Sequence, residues 1–484
     1  MKKTHSILLY TLVILVFWGC APDIQKQVDL KAQQESETII RKAAAKKLKK
    51  SSEELTIDDY KNLKEIDVSV TTIYDIKLLE KFTNLQKLRL SYLDLPESGK
   101  EFLDLNPIKK LTKLRNLESI DSPVKNIKPL AGLINLETLE LENNEVSDLR
   151  PLKKLKKLKS LRLNRTQVSN LKPLRKLTNL HNIELGGTKV SDLKPLKKLK
   201  ELRSLYIAGT QVSNLEPIRD LTNLQTLNLN GTQVSDLEPI RDLANLQTLN
   251  LNRTQVSKLE PIKELTNLRQ LDLSGTQVSN LKYIEGMKKL DTLRLTEIPV
   301  FDLEPIKGLV NLGMLYIDET KVSDLKPIKD MRKLYFLWSN KTEVSDLEPL
   351  KDLTSLNVLV LSNTLVTNLK PISGLKKLKQ LVLDETNVSN LDPIKDLTNL
   401  QVLSLAHTQV SDLEPIKGLI NLERLFLDGT PISNLEPIKE LINLQEILLE
   451  NCKFITDDQV QDLQKALPKL NIYRNTNPKP RLVF

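Results

Sequence analysis

Between about residues 63 and 451 the chain repeats one arrangement of apolar and polar positions every 22 residues, Leu-x-x-Leu-x-Leu-x-x-Thr-x-Val-Ser-Asp-Leu-x-Pro-Ile-x-x-Leu-x-Asn. One copy sets its apolar residues at Leu224, Leu227, Leu229, Val234, Leu237, Ile240 and Leu243, with Thr232 and Pro239 at fixed offsets. Proline returns at 107, 129, 151, 173, 195, 217, 239 and 261, then at 305, 327, 349, 371, 393, 415 and 437, and Tyr283 takes the one missing turn. A fixed period of this length signals stacked structural repeats. Within a unit, Leu-x-Leu alternates with period two, which predicts a short strand with Leu227 and Leu229 inward and Thr226, Asn228 and Asn230 outward. Ser235-Asp236-Leu237-Glu238-Pro239 then predicts a turn, because Ser and Asx side chains bond nearby backbone donors and proline supports one tight helical turn but no long helix. No unit this short encloses a core, so each must bury its leucines against the next coil.

This spacing resembles the leucine-rich repeat of the internalin type, a class of bacterial surface proteins built from Leu-x-x-Leu-x-Leu-x-x-Asn-x-Ile-x-Asp-Ile-x-Pro-Leu units. The expected fold is an α/β solenoid: a right-handed leucine-rich repeat arc with a parallel concave β-sheet, short 3-10 or turn segments on the convex face, and a helical N-terminal cap. One departure is systematic. The family's asparagine, which bonds backbone between coils, is Thr at 166, 188, 210, 232, 254, 276, 320, 342, 364, 386, 408 and 430, while Asn144 keeps it, Ser122 and Cys452 vary it, and Ile298 abandons it. A hydroxyl has one donor where an amide has two, so a thinner inter-coil ladder is expected.

The first 20 residues read as a separate object. Lys2 and Lys3, the apolar run Ile7 to Trp18 and the pair Gly19-Cys20 have the order of an export signal, and the cysteine resembles the lipidation site of bacterial lipoproteins, although Phe17 and Trp18 depart from the usual residues there. The expected organisation is a signal peptide over 1–20, a flexible linker over 21–35, a helical cap over 36–62, repeats over 63–451, and a C-terminal capping repeat and tail over 452–484. Ser36 is the expected helix start, and Thr56-Ile57-Asp58-Asp59 has the spacing of a capping box. Seven extra residues near Tyr92 to Glu101 read as a tolerated insertion. With Cys20 committed to lipid, Cys452 has no intramolecular partner and reads as a buried structural thiol in the C-terminal lid.

Because packing dictates the inward positions, what is particular to this chain lies on the outward ones. Early coils present Glu140, Glu142, Arg162, Glu184, Asn228, Asn250 and Asp272 there. Later coils present Met314, Tyr316, Phe336, Trp338, Val358, Val360, Val382, Val402, Phe426 and Leu448, a set expected to merge into an apolar partner-binding patch. Ser339 replaces a core leucine in the same region, so an alternative is that Phe336 or Trp338 turns inward to fill the gap.

Composition alters little. Hydrophobic residues make up 40% of the chain, enough for a leucine core, and the net charge of +10 comes largely from lysine runs such as Lys153-Lys154-Leu155-Lys156-Lys157 on the expected convex side. Nothing points to catalysis, a cofactor or a metal. His181 and His407 lie on the order of 48 Å apart along a stack of strands ~4.8 Å apart, and no zinc-protease, nucleophile-elbow or phosphate-loop motif occurs. Asp148, Asp192, Asp236, Asp324, Asp346 and Asp412 repeat one turn position, which marks a structural cap. The resemblance implies a protein ligand on the concave face; the export signal implies a membrane contact through lipid at Cys20, in the outer membrane or at the cell surface rather than the inner membrane. Nucleic acid is not expected, since no stacking aromatics interleave the lysines. An adhesin for polysaccharide or peptidoglycan, and a structural envelope spacer, remain open alternatives.

Overall fold

A computed structural model describes residues 21–95 and 102–474; the signal segment with Cys20, residues 96–101 of the insertion, and the tail after Arg474 lie outside the described residues. The chain divides into two compact units, one up to Leu224 and one from Gln225.

Both units are built from the same coil. In the first, the strand Thr138–Glu140 pairs in parallel with Ser160–Arg162, setting Leu139 beside Leu161. In the second, Thr226–Asn228 pairs with Thr248–Asn250, setting Leu227 beside Leu249. All four leucines are buried, so the register follows from the 22-residue period: a slip of one residue would turn every leucine to solvent. Past each strand the chain bends at a residue in the left-handed region, glycine at Gly209 (φ 65°) but also Asn143 (54°), Glu319 (53°) and His407 (57°). The Asx position then acts as the sequence implies: Asp236 Oδ1 accepts the Glu238 N–H at 2.9 Å, and Asp148, Asp192, Asp324, Asp346 and Asp412 each accept the amide two residues on. Pro239 sits in the first turn of the 3-10 segment Glu238–Ile240, where its missing N–H leaves no bond unmade.

The threonine row differs from a thinner inter-coil ladder. Thr166 Oγ1 donates to Leu163 O at 2.7 Å and Thr232 Oγ1 to Leu229 O at 2.7 Å, both within their own coil. Each of these hydroxyls spends its one proton on the carbonyl three residues back in its own coil, which leaves none to donate across the ~4.8 Å between strands. Where the row carries another residue the bond does cross: Ser122 Oγ donates to Leu90 O at 2.7 Å, Asn144 Nδ2 to Ser119 O at 2.6 Å, and Cys452 Sγ to Leu427 O at 3.1 Å. The coils are instead tied by an asparagine at another position, just before a buried leucine. Asn179 Nδ2 donates to Lys156 O at 2.8 Å and Asn223 to Lys200 O at 2.9 Å in the first unit; Asn267, Asn311, Asn399, Asn421 and Asn443 do the same in the second.

The N-terminal cap is longer than expected. Helix α1 spans Ala21–Leu48, taking in the segment that reads as a linker, and Ser36 is buried inside it rather than starting it. There the Ser36 Oγ accepts the Tyr74 N–H at 2.9 Å and the Asp75 N–H at 3.3 Å, so the residue caps a neighbouring loop. Helix α2, Ile57–Asn62, carries the expected box: Thr56 Oγ1 accepts the Asp59 N–H at 3.2 Å and Asp59 Oδ2 accepts the Thr56 N–H at 2.9 Å. At the other end, helix α3 (Asp457–Ala466) and the strand Asn471–Tyr473 close the second unit, the strand pairing with Glu446–Leu448. Cys452 is buried between them and the last coils, and burial pushes its thiol pKa up. Among the described residues no helix is long and apolar enough to cross a membrane.

Candidate functional site: the outward strand face of the second unit

The alternation that buries Leu315 and Leu337 sends their neighbours out the other side. Parallel register sets Met314 beside Phe336 and Tyr316 beside Trp338, then Phe336 beside Val358 and Trp338 beside Val360. The rings meet. Tyr316 and Phe336 centroids lie 4.9 Å apart, Phe336 and Trp338 5.6 Å, and Tyr316 and Trp338 stack at 6.1 Å with planes 25° apart. All three are half-buried, so each keeps surface available to a partner. The alternative inward rotation of Phe336 or Trp338 does not occur. Ser339 fills the gap itself, fully buried, with its Oγ 2.9 Å from Thr342 Oγ1.

The expected patch is smaller than its ten residues. Met314, Tyr316, Phe336, Trp338 and Val358 stay partly exposed, but Val360 (1% exposed), Val382 (2%), Val402 (8%), Phe426 (4%) and Leu448 (5%) are closed off. They do point outward. Neighbouring strands ~4.8 Å apart, however, bring Phe426, Leu448 and Tyr473 into register, and Val402 joins Phe426 and Leu448 diagonally in one cluster. Phe426 is covered because Val402, Leu448 and Tyr473 pack against it, whereas Tyr316, Phe336 and Trp338 pack on one another and keep an open side.

Two participants were missed at the sequence level. Arg294, in register with Tyr316, lays its guanidinium 4.6 Å from the Tyr316 ring centre, a cation–π contact that covers that face of the cluster. Tyr335 is 41% exposed beside the cluster, and Gly313 makes room for it: a Cβ there would stand 2.7 Å from its ring. Both were legible, Arg294 from the 22-residue spacing and Tyr335 from a glycine where other coils carry long polar side chains. Beside the rings, Asp318 is buried and its Oδ1 accepts the Asn340 N–H at 3.0 Å; burial pushes its carboxyl up to about 6, against those hydrogen bonds.

The first unit's outward face is of another kind. Arg162 lies between Glu184 at 3.0 Å and Glu140 at 3.7 Å, and Asn164 Nδ2 bonds Glu142 at 3.0 Å and Glu184 at 2.9 Å. Burial raises the Glu140 and Glu142 carboxyls, with Arg162 opposing. Arg162 and Asn164 tie the three carboxylates together, and the group keeps a surplus of negative charge. Among the described residues no group of three or more His, Cys, Asp or Glu could hold a metal.

Short parallel strands alternating with 3-10 turns at a constant period define a leucine-rich repeat protein, and the repeats here are internalin-like. The family described as leucine-rich repeats in two copies matches residues 134–176, 200–243, 222–264, 244–285 and 398–440. A leucine-rich repeat protein of Leptospira interrogans is 24% identical, with 86% of this chain and 97% of that one covered and a TM-score of 0.60. An internalin of Listeria monocytogenes is 23% identical over 77% of this chain and 95% of its own, TM-score 0.52. The plant peptide hormone receptor RGFR1, solved in complex with RGF2, shares 18% identity over 87% of this chain and 81% of its own, TM-score 0.55. No curated protein matches the chain. The fold is typically a non-catalytic scaffold for interaction, which supports a protein-interaction role.

Proposed function

We propose that this protein binds a protein partner, without catalysis, through the outward strand face of its second unit, and that lipid at Cys20 holds it to the cell envelope. The observation that carries the first part is the cluster of Tyr316, Phe336 and Trp338, three rings in mutual contact on a face where the core has no use for them. Half-buried aromatics fixed by their neighbours lose little freedom on binding and supply most of an interface's energy. Met314, Val358 and Tyr335 extend the apolar area, and Arg294 and the carboxylates beside the rings set orientation. A structural similarity to a receptor solved with a peptide hormone agrees with a polypeptide ligand. The anchoring part rests on the sequence Lys2-Lys3, Ile7 to Trp18 and Gly19-Cys20.

The test is capture from envelope and surrounding extracts by the wild-type protein and by a Tyr316→Ser, Phe336→Ser, Trp338→Ser variant with an unchanged circular dichroism spectrum. Loss of three central aromatics should weaken the partner about 100-fold or more; equal capture by both proteins refutes the site. Anchoring is read separately. Labelled fatty acid should enter the wild type and not Cys20→Ser, and incorporation into neither refutes lipidation.

A further inference from the structure

The aromatic face leaves unused a polar groove of about 450 Å³ in the last coils, lined by Lys379, Asn399, Gln401, Asn421, Glu423, Asn443 and Gln445. Gln401, Glu423 and Gln445 immediately precede the strands Val402–Ser404, Arg424–Phe426 and Glu446–Leu448, so the groove runs along the edge where the chain enters the sheet.

Its asparagines are not free to rotate. Each Nδ2 donates to a carbonyl of the preceding coil, Asn399 to Lys376 O at 2.7 Å, Asn421 to Thr398 O at 2.9 Å and Asn443 to Ile420 O at 2.8 Å. Each Oδ1 is therefore fixed in direction and repeated at the strand spacing of ~4.8 Å. In three other coils a lysine 22 residues on fills that oxygen: Lys157 reaches Asn135 at 2.7 Å, Lys289 reaches Asn267 at 2.6 Å and Lys333 reaches Asn311 at 2.8 Å. After Asn399 and Asn421 the corresponding residue is another asparagine, and among the described residues no donor meets these oxygens. Gln401 spends its amide on Glu423 at 3.2 Å; the Gln445 amide and the Lys379 ammonium stay available.

A ladder of fixed carbonyl oxygens wants a ligand rich in donors. A polyanion is disfavoured by Glu423 and those oxygens, and an apolar peptide finds no apolar floor. We propose that this groove binds a linear, neutral polysaccharide, with about one pyranose ring per coil. Its hydroxyls donate to Asn399, Asn421 and Asn443, while Gln445 and Lys379 donate to its oxygens. The site is separate from the aromatic cluster and does not depend on it.

Affinity electrophoresis of the full chain through gels containing hydroxyethylcellulose, mixed-linkage glucan or glycol chitin tests this. The informative variant is Asn421→Lys, which recreates on Asn399 the lysine-on-asparagine pairing of other coils and so keeps the fold. Retardation of the wild type by at least one polymer, weakened about fivefold for each of the two oxygens lost, Asn399 filled and Asn421 replaced, is the expected result. Gln445→Ala should weaken it too, while Trp338→Ser should leave it unchanged. No retardation of the wild type by any polymer, or equal retardation of wild type and lysine variant, overturns the proposal. So does a lysine variant that loses captured protein from extracts with no polysaccharide effect, since the groove would then serve a polypeptide.

Discussion

Replacing Asp318 with asparagine should stabilise the protein at neutral pH and do nothing in acid. The carboxylate is 9% exposed; its Oδ1 accepts the Asn340 N–H at 3.0 Å and its Oδ2 lies 3.4 Å from the Thr296 hydroxyl. Burial outweighs those bonds and lifts the carboxyl from 3.8 to about 6. One coil later the same task falls to an amide, since Asn340 Oδ1 accepts the Ser362 N–H at 2.9 Å. Asp318→Asn thus keeps the acceptor and removes the buried charge. An upward shift of about two units is worth on the order of 3 kcal/mol, at about 1.4 kcal/mol per unit. Because the folded pKa is the higher one, the native state binds more protons between 3.8 and about 6, and stability falls as pH rises through that window. Urea unfolding of both proteins, followed by circular dichroism from acid to slightly alkaline pH, should show no difference below the unfolded pKa. Above the folded one, the variant should lead by roughly 2–3 kcal/mol. A gap that does not vary with pH, or a variant less stable at neutral pH, would falsify the assignment of a strained buried carboxylate.

Three further outcomes are expected. Gly209→Ala meets no atom closer than 3.8 Å but must hold φ near 65°, so thermal unfolding should register a loss of about 1 kcal/mol from backbone strain alone; no loss would mean the turn relaxes. Phe426→Ala opens a hole in the buried outward cluster and should cost about 3 kcal/mol in urea without weakening partner capture, and the reverse pattern would return Phe426 to the binding site. The Cys452 thiol, 3% exposed and with its pKa raised by burial, should resist a disulfide reagent in the native protein and react at once in urea; fast native reaction would place it at the surface.

Much of this was legible in the residues. The 22-residue period implied the strand, the inward leucines and the parallel register, because only one phase of the alternation buries Leu227 and Leu229 together. The Asx-Leu-x-Pro turn was equally plain, since its hydrogen bond spans two residues. Ser36 misled, because a serine's preference for a helix start is weaker than the demand of two loop amides for an acceptor. Outward direction was readable for all ten patch residues, but exposure was not. Val382 points away from the core and still reaches only 2%, because what covers it belongs to neighbouring coils.

The sequence by itself determined the coil: its length, its strand, its turn and which side chains enter the core, all of them consequences of local periodicity and short-range hydrogen bonds. Only the tertiary structure decided what happens between coils. Thr166 turns its hydroxyl back on its own coil while Asn223 reaches the one before, and three rings stay half-exposed while Phe426 and four aliphatic outward residues close over one another. Oxygens on Asn399, Asn421 and Asn443 come into line for the same reason. Contacts across a strand spacing of ~4.8 Å depend on side-chain length, direction and the size of the neighbour, and no window along the chain contains all three.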